Sequence, residues 1–205
     1  MAELGFMHRY KAPMGNSSRT ILALHGTGGD ENSLFSMAEA LDPDAGILSV
    51  RGKVLENGAP RFFRRLAEGV FDLEDLTVRT HELADFIDSA RVVYDFDADC
   101  VVAAGYSNGA NIAASLLFLR PDVLSAAVLL RAMTPFEPEQ RHDLSAKQVF
   151  ISEGKFDQLV PHDNAEHLAH LFREQGAQVT LRWNDLDHRL GRSEIDAARD
   201  WLAQV

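Results

Sequence analysis

The sequence predicts an α/β fold, a compact, doubly wound, mostly parallel sheet with helices on both faces. Three observations carry that prediction. Short apolar runs alternate with longer stretches of helical periodicity along the chain. The short runs are continuously apolar, as strands covered on both faces must be. Two Gly-rich turns follow such runs directly, at His25–Gly29 and Gly105–Gly109, where loops leaving parallel strands carry chemistry.

The elements follow in order. A strand near Phe6–Lys11 is expected, then Thr20–Leu24, which stops at His25-Gly26-Thr27-Gly28-Gly29. Asp30 stands where a helix N-cap belongs, ahead of the periodic positions Leu34, Met37, Ala38 and Leu41. Gly46–Val50 reads as a buried strand. Between Arg51 and Asp72 the pattern is irregular, rich in Gly, Arg and Phe, and predicts a long loop with a functional reason. Leu73, Leu76, Leu83, Phe86, Ile87, Ala90 and Tyr94 then recur at helical spacing. Strands are expected at Cys100–Ala104, Val123–Leu130, Gln148–Ser152 and Val179–Trp183. Helices are expected over Asn111–Leu119, His162–Gln175 and Glu194–Ala203.

The length, 205 residues, suits one domain spanning 1–205. Hydrophobic residues at 46% and charged residues at 25% describe an ordinary globular chain and disfavour disorder and coiled coil. No run approaches the length of a membrane helix, and Met1–Lys11 lacks the features of a secretory leader. A cytoplasmic location is the expectation. The single cysteine, Cys100, allows no internal disulfide. A net charge of −11 repels phosphate backbones and anionic lipid, so neither nucleic-acid binding nor stable membrane association is expected.

The strongest chemical signal is Gly105-Tyr106-Ser107-Asn108-Gly109, a G-x-S-x-G sequence between an expected strand and an expected helix. In that setting it forms a turn so tight that side chains flanking the serine would collide with strand and helix. The turn lifts the Ser107 hydroxyl clear of the sheet at a helix N-terminus, where free N–H groups favour developing negative charge. A serine hydroxyl needs an adjacent base, itself oriented by a carboxylate. With such an elbow the acid and then the base follow the serine along the chain. Asp157 lies just past the strand QVFIS and His188 just past VTLRW, so both fall at strand C-terminal ends. Among the eight histidines, His162 is the main rival base, but it opens a helix before the last strand. His8, His81, His167 and His170 read as structural or solvated. Asp163 reads as a helix N-terminal charge, and Asp187 as a carboxylate pointing away from its neighbour. Two donors for a tetrahedral oxyanion are expected from the backbone N–H groups of Thr27 and Asn108. No P-loop Lys-Ser/Thr follows the first Gly-rich turn, and no paired His or Cys stand at ligand spacing, so neither cofactor nor metal is expected.

These segments together are familiar. HGTGGDE at His25–Glu31, GYSNGANIA around Ser107, EGKFDQLVP around Asp157 and DHRLG around His188 resemble the phospholipase/carboxylesterase family of α/β hydrolases. The stretch from Arg51 to Arg79 looks like that of its small bacterial carboxylesterase branch. The resemblance covers nearly the whole chain. It implies an α/β-hydrolase fold without a cap domain and without the first strands of larger hydrolases. It also implies activity on carboxylic esters or thioesters, with Ser107, Asp157 and His188 as triad and Thr27 and Asn108 as oxyanion donors. A homodimer is common in the family. Two departures stand out: Asn108 where acyl-protein thioesterases of the family usually carry Gln, and Asp187 where Gly usually precedes the base.

The expected activity is hydrolysis of small to medium, uncharged carboxylic esters through an acyl-enzyme. Thioesterase or lysophospholipase activity is the alternative within that class. A catalytically idle ligand-binding module is the alternative outside it. Phe62, Phe63, Met133, Phe136, Leu159 and Leu190 are candidate pocket walls, with plain core packing an equal reading for each. Arg51, Arg61 and Arg64 could meet an acidic substrate group, although solvated surface arginines are the simpler expectation.

Overall fold

A computed structural model describes residues 4–205. Residues 1–3 of the Met1–Lys11 segment, read above for a leader, lie outside the described residues. The chain forms β1 (His8–Lys11), β2 (Thr20–Leu24), α1 (Phe35–Leu41) and β3 (Gly46–Val50). Two short hairpins follow, β4 (Val54–Glu56) with β5 (Ala59–Arg61), and β6 (Arg65–Ala67) with β7 (Val70–Phe71). Then come α2 (Leu73–Tyr94), β8 (Val101–Tyr106), α3 (Asn108–Leu119), β9 (Ala126–Leu130), β10 (Gln148–Gly154), α4 (His162–Glu174), β11 (Gln178–Asn184) and α5 (Arg192–Leu202).

Seven strands make one sheet in the order β1-β3-β2-β8-β9-β10-β11. Every neighbouring pair is parallel except β1 with β3. Alternate residues of each strand go to opposite faces. Leu22, Leu24, Leu48 and Val50 pack with α2, α3 and α4 through Leu83, Phe86, Leu117 and Phe172. Ile21, Ala23, Ile47 and Phe150 pack with α1 and α5 through Ala38, Leu41, Ala198 and Leu202. Both faces are covered, which is why the strands read as unbroken apolar runs.

Three expectations are corrected. The Arg51–Asp72 segment is not an irregular loop but carries the two hairpins. Asn57 and Gly58 both have positive φ, 51° and 84°, the conformation a tight hairpin turn requires. Asp30 does not cap α1; its carboxylate accepts from Asn32 N–H (2.9 Å) and so closes the preceding turn, while Leu34 occupies the cap position. The strand expected over Val123–Leu130 begins only at Ala126, because Pro121 starts a turn of 3₁₀ helix through Val123.

The sheet order decides what can meet. The strands β2, β8, β9, β10 and β11 are neighbours in that sequence, and the loops leaving them carry Thr27, Ser107, Arg131, Asp157 and His188. All five sit along one edge.

Candidate active site

Ser107 stands between the last residue of β8 and the first of α3, with φ 52° and ψ −116°. A non-glycine residue with this backbone is strained, and it is held by the turn around it. Ser107 N–H donates to Leu130 O (2.8 Å), and Asn111 N–H closes the first turn of α3 on Ser107 O (2.9 Å). The flanking glycines are a steric requirement. A Cβ on Gly105 would lie 2.5 Å from Gly109 O, and one on Gly109 would lie 2.0 Å from Leu24 O. Here β8, α3 and β2 approach too closely for any side chain.

His188 brings Nε2 to 3.0 Å from Ser107 Oγ, and its Nδ1 to 2.7 Å from Asp157 Oδ2. With Nδ1–H donating to the carboxylate, Nε2 is left as acceptor for the Ser107 hydroxyl proton. The other carboxylate oxygen, Asp157 Oδ1, accepts from Leu159 N–H (2.8 Å) and Val160 N–H (3.2 Å). Asp157 is thereby fixed on both sides and its side chain is fully buried. The rivals lie elsewhere. His162 donates through Nε2 to Lys155 O (3.0 Å) and packs its ring on Trp183. Asp187 pairs with Arg189.

The His188 loop is anchored by a group that sequence reasoning misses. Arg131 is wholly buried just past β9, with φ 58°. Its Nε donates to Asp187 O (2.9 Å) and Nη2 to Arg189 O (2.8 Å), the two carbonyls bracketing His188. Nη1 and Nη2 also donate to the two oxygens of Glu194 (2.7 and 2.9 Å), a buried carboxylate on α5. Ser152 Oγ donates to the same carboxylate (2.7 Å) and accepts from Asn184 Nδ2 (2.7 Å). Tyr106 adds a further tie, its hydroxyl donating to His188 O (3.0 Å). No local motif marks Arg131 or Glu194. An arginine straight after a buried apolar strand is the one available hint.

Thr27, Ser107, Asn108 and His188 open on a cleft of about 360 Å³. Adjacency of β2 and β8 puts Thr27 and Asn108 on one wall. Among the described residues neither backbone N–H donates to a protein acceptor. Of the expected pocket walls, Met133 and Leu159 line this cleft. Phe62, Phe63, Phe136 and Leu190 do not. Phe62 and Phe63 are buried in the core, Phe136 packs edge-on against Phe118, and Leu190 lies against the α1/α5 face. Arg61, weighed above as a residue for an acidic substrate group, also lines the cleft, and the walls that the sequence does not reveal are Arg65, Glu68, Phe71, Tyr106, Asn111, Arg131 and Val160. The expectation that Arg51, Arg61 and Arg64 are solvated also splits. Arg64 is exposed and paired with Asp72, and Arg51 is half-exposed and paired with Glu31, whereas Arg61 is buried.

Asn108 is buried, and its Oδ1 accepts from Phe62 N–H (2.7 Å). The residue after the serine therefore pins the segment leading from β5 to β6. Burial pushes the His25 imidazole down from its ordinary range, and its Nε2 accepts from Gly52 N–H (3.0 Å). A neutral histidine thus supports the Thr27 loop from behind.

No protein-family model matches the chain. Among curated proteins it is 50% identical over 191 residues to "Putative hydrolase MhqD" of Bacillus subtilis (strain 168), covering 93% of this chain and 96% of that one. Among solved structures, the Bacillus cereus carboxylesterase superposes with a TM-score of 0.95 at 46% identity, over 98% of this chain and 94% of the other. A carboxylesterase from Mesorhizobium loti gives 0.93 at 28% identity, over 100% and 98%.

Proposed function

The chain belongs to the phospholipase/carboxylesterase family of α/β hydrolases, and on that premise we propose that it is a serine carboxylesterase working through Ser107, His188 and Asp157. One observation carries the reading. A serine held at positive φ on a tight elbow lies 3.0 Å from an imidazole whose other nitrogen lies 2.7 Å from a buried carboxylate.

In the reaction, Ser107 Oγ attacks the ester carbonyl carbon as its proton passes to His188 Nε2. Asp157 stabilises the imidazolium that forms. The carbonyl oxygen gains the negative charge and is met by Thr27 N–H and Asn108 N–H. Collapse of the tetrahedral species breaks the C–O bond, and the alkoxide leaves as alcohol with the His188 proton. Water then gives a proton to His188, attacks the acyl carbon, and releases the acid as the proton returns to Ser107.

The cleft supports small to medium substrates. Its volume, about 360 Å³, is near the lower end for small-molecule sites. Residues 131–147, which link β9 to β10, form no helix or strand that could act as a lid. Phe71, Met133, Leu159 and Val160 supply its apolar surface.

Fluorophosphonate labelling followed by peptide mapping tests the assignment. Modification is expected at Ser107 alone. Ser107→Ala should lower p-nitrophenyl butyrate hydrolysis by about ten-thousand-fold or more with the fold intact. Labelling elsewhere, or none, would favour an idle ligand-binding module instead.

A further inference from the structure

We propose that the cleft selects esters carrying a second, free carboxylate, and that the Arg61 guanidinium recognises it. The proposal rests on the serine-esterase reading and sharpens its substrate class.

Arg61 ends β5 with only 3% of its surface exposed, yet it lines the cleft beside Thr27 and Ser107. Two of its nitrogens are committed. Nη1 donates to Thr27 Oγ1 (2.6 Å), and Nε donates to Phe63 O (3.2 Å). Among the described residues Nη2 donates to no protein group, and it is not among the sealed polar atoms. Since Arg61 lines the cleft, Nη2 is the uncommitted donor it can offer a ligand there.

The charges around it do not balance. Among the described residues Glu56 is the one carboxylate within ion-pair distance of Arg61, at 3.3 Å from Nε. Arg65 takes that same carboxylate in a fork, Nε at 2.9 Å and Nη2 at 2.7 Å from Oε1. Two guanidinium groups therefore share one anion beside the serine. Both desolvation and the Arg65 charge act against the charged form of Arg61. A buried cation in that position is best relieved by a second anion.

The rest of the wall is rich in donors. Asn108 lines it too, although its partnerless Nδ2 is itself buried behind the cleft surface. Asn111 spends its Oδ1 on Met133 N–H (2.8 Å), leaving its amide N–H₂ as the free end. Asp157 is sealed behind His188, so Glu68, exposed at the rim, is the one carboxylate the wall presents. In a chain of net charge −11 this is a local reversal of sign. A planar guanidinium with an open N–H edge suits a carboxylate in particular.

A matched substrate pair tests the proposal. Monoethyl succinate and ethyl butyrate differ by a carboxylate in place of a terminal methyl group. The wild-type protein should favour the hemiester in kcat/KM by about tenfold or more, the size expected of one charge-assisted hydrogen bond. Arg61→Gln should reduce that preference by about tenfold or more, and Arg61→Lys, which keeps the charge without the fork, should fall between. A wild-type preference for ethyl butyrate would overturn the proposal. So would Arg61 variants that lose both esters equally, because Arg61 would then act only by holding Thr27. Should the variants fail to fold, wild-type calorimetry decides: succinate must bind at least about tenfold more tightly than butyrate, and equal binding refutes the proposal. Calorimetry also separates the two readings, since succinate binding without turnover of any ester would count against the esterase and leave the carboxylate site standing.

Discussion

The nucleophile end of the site and the acid–base end are built by different physics. At the elbow, geometry is enforced by contact: β2, β8 and α3 come so close that only glycine fits on either side of Ser107. All of this lies within one pentapeptide and one neighbouring strand. At the other end, Asp157 and His188 sit on separate loops that share no local motif. Asp157 is held by Leu159 N–H and Val160 N–H, and the His188 loop by a buried cation, Arg131, reaching from the end of β9 to carbonyls on both sides of His188 and to Glu194 on α5. A steric constraint is hard and local, and a buried charge network is specific but conditional on every member being present. The two ends should therefore fail differently.

The largest effect is expected at the elbow. In Gly109→Ala the new methyl would lie 2.0 Å from Leu24 O and 2.7 Å from His25 O, both backbone atoms of a central strand and its exit. No side-chain rotation relieves that overlap. The variant should lose upwards of about 5 kcal/mol, or fail to fold, as judged by urea unfolding. Near-wild-type stability would show that the elbow is not set by contact, and the comparison would break at its first term.

Arg131→Met comes next. It strands the Glu194 carboxylate in the core, an error that costs about 3–5 kcal/mol in other buried pairs. It also frees Asp187 O and Arg189 O, so His188 should no longer be held toward Ser107. Adding Glu194→Met removes the orphaned charge. The double variant should recover most of the stability, while fluorophosphonate labelling of Ser107 stays slow because the His188 loop remains unanchored. Wild-type labelling rates in either variant would reduce Arg131 to a structural ion pair.

This division also explains what the sequence discloses. The strands are legible because both faces of the sheet are buried, which leaves unbroken runs such as ILAL and VVAA. Ser107 is legible because its turn needs glycines at fixed offsets. Asp157 and His188 are legible as acid and base because each stands just beyond a strand in the chain order serine, acid, base, and β10 lying beside β11 is what lets them meet. The hairpins between Arg51 and Asp72 are masked by their brevity: strands of two or three residues show no periodicity, and only the turn residues Asn57-Gly58 and Gly69 mark them. Phe62 and Phe63 mislead because large aromatic side chains serve a core and a pocket equally well. Arg61 misleads in the opposite sense, and Arg131 draws no attention at all, because arginine is so seldom buried that solvent is the default expectation.

The smallest effect sharpens the account of the acid–base end. One buried guanidinium, Arg131, faces three carboxyl groups: Glu194 in a fork, Asp157 with Oδ2 4.0 Å from Nε, and Glu153 beneath them. Glu153 accepts from Ala132 N–H (2.7 Å) through Oε1, while Oε2 is buried with no partner. One cation is not enough for three anions in a desolvated site. Burial above all, with Asp157 and Glu194 adding to it, pushes the Glu153 carboxyl well above its ordinary value and so favours its protonated form. Above the ordinary carboxyl range the folded state then holds one proton more than the unfolded chain. The contribution of Glu153 to stability should therefore fall as pH rises toward its folded pKa, by at most about 1.4 kcal/mol per unit. Glu153→Gln keeps the shape and the acceptor but cannot ionise. Any penalty from its unpartnered amide is the same at every pH, so the slope is the diagnostic quantity. Urea unfolding at a series of pH values should show the variant gaining on the wild type through that window, then holding a constant lead. Parallel curves would mean that Glu153 ionises in the folded state as readily as in the unfolded chain, and that its burial beside Asp157 and Glu194 leaves its titration unchanged.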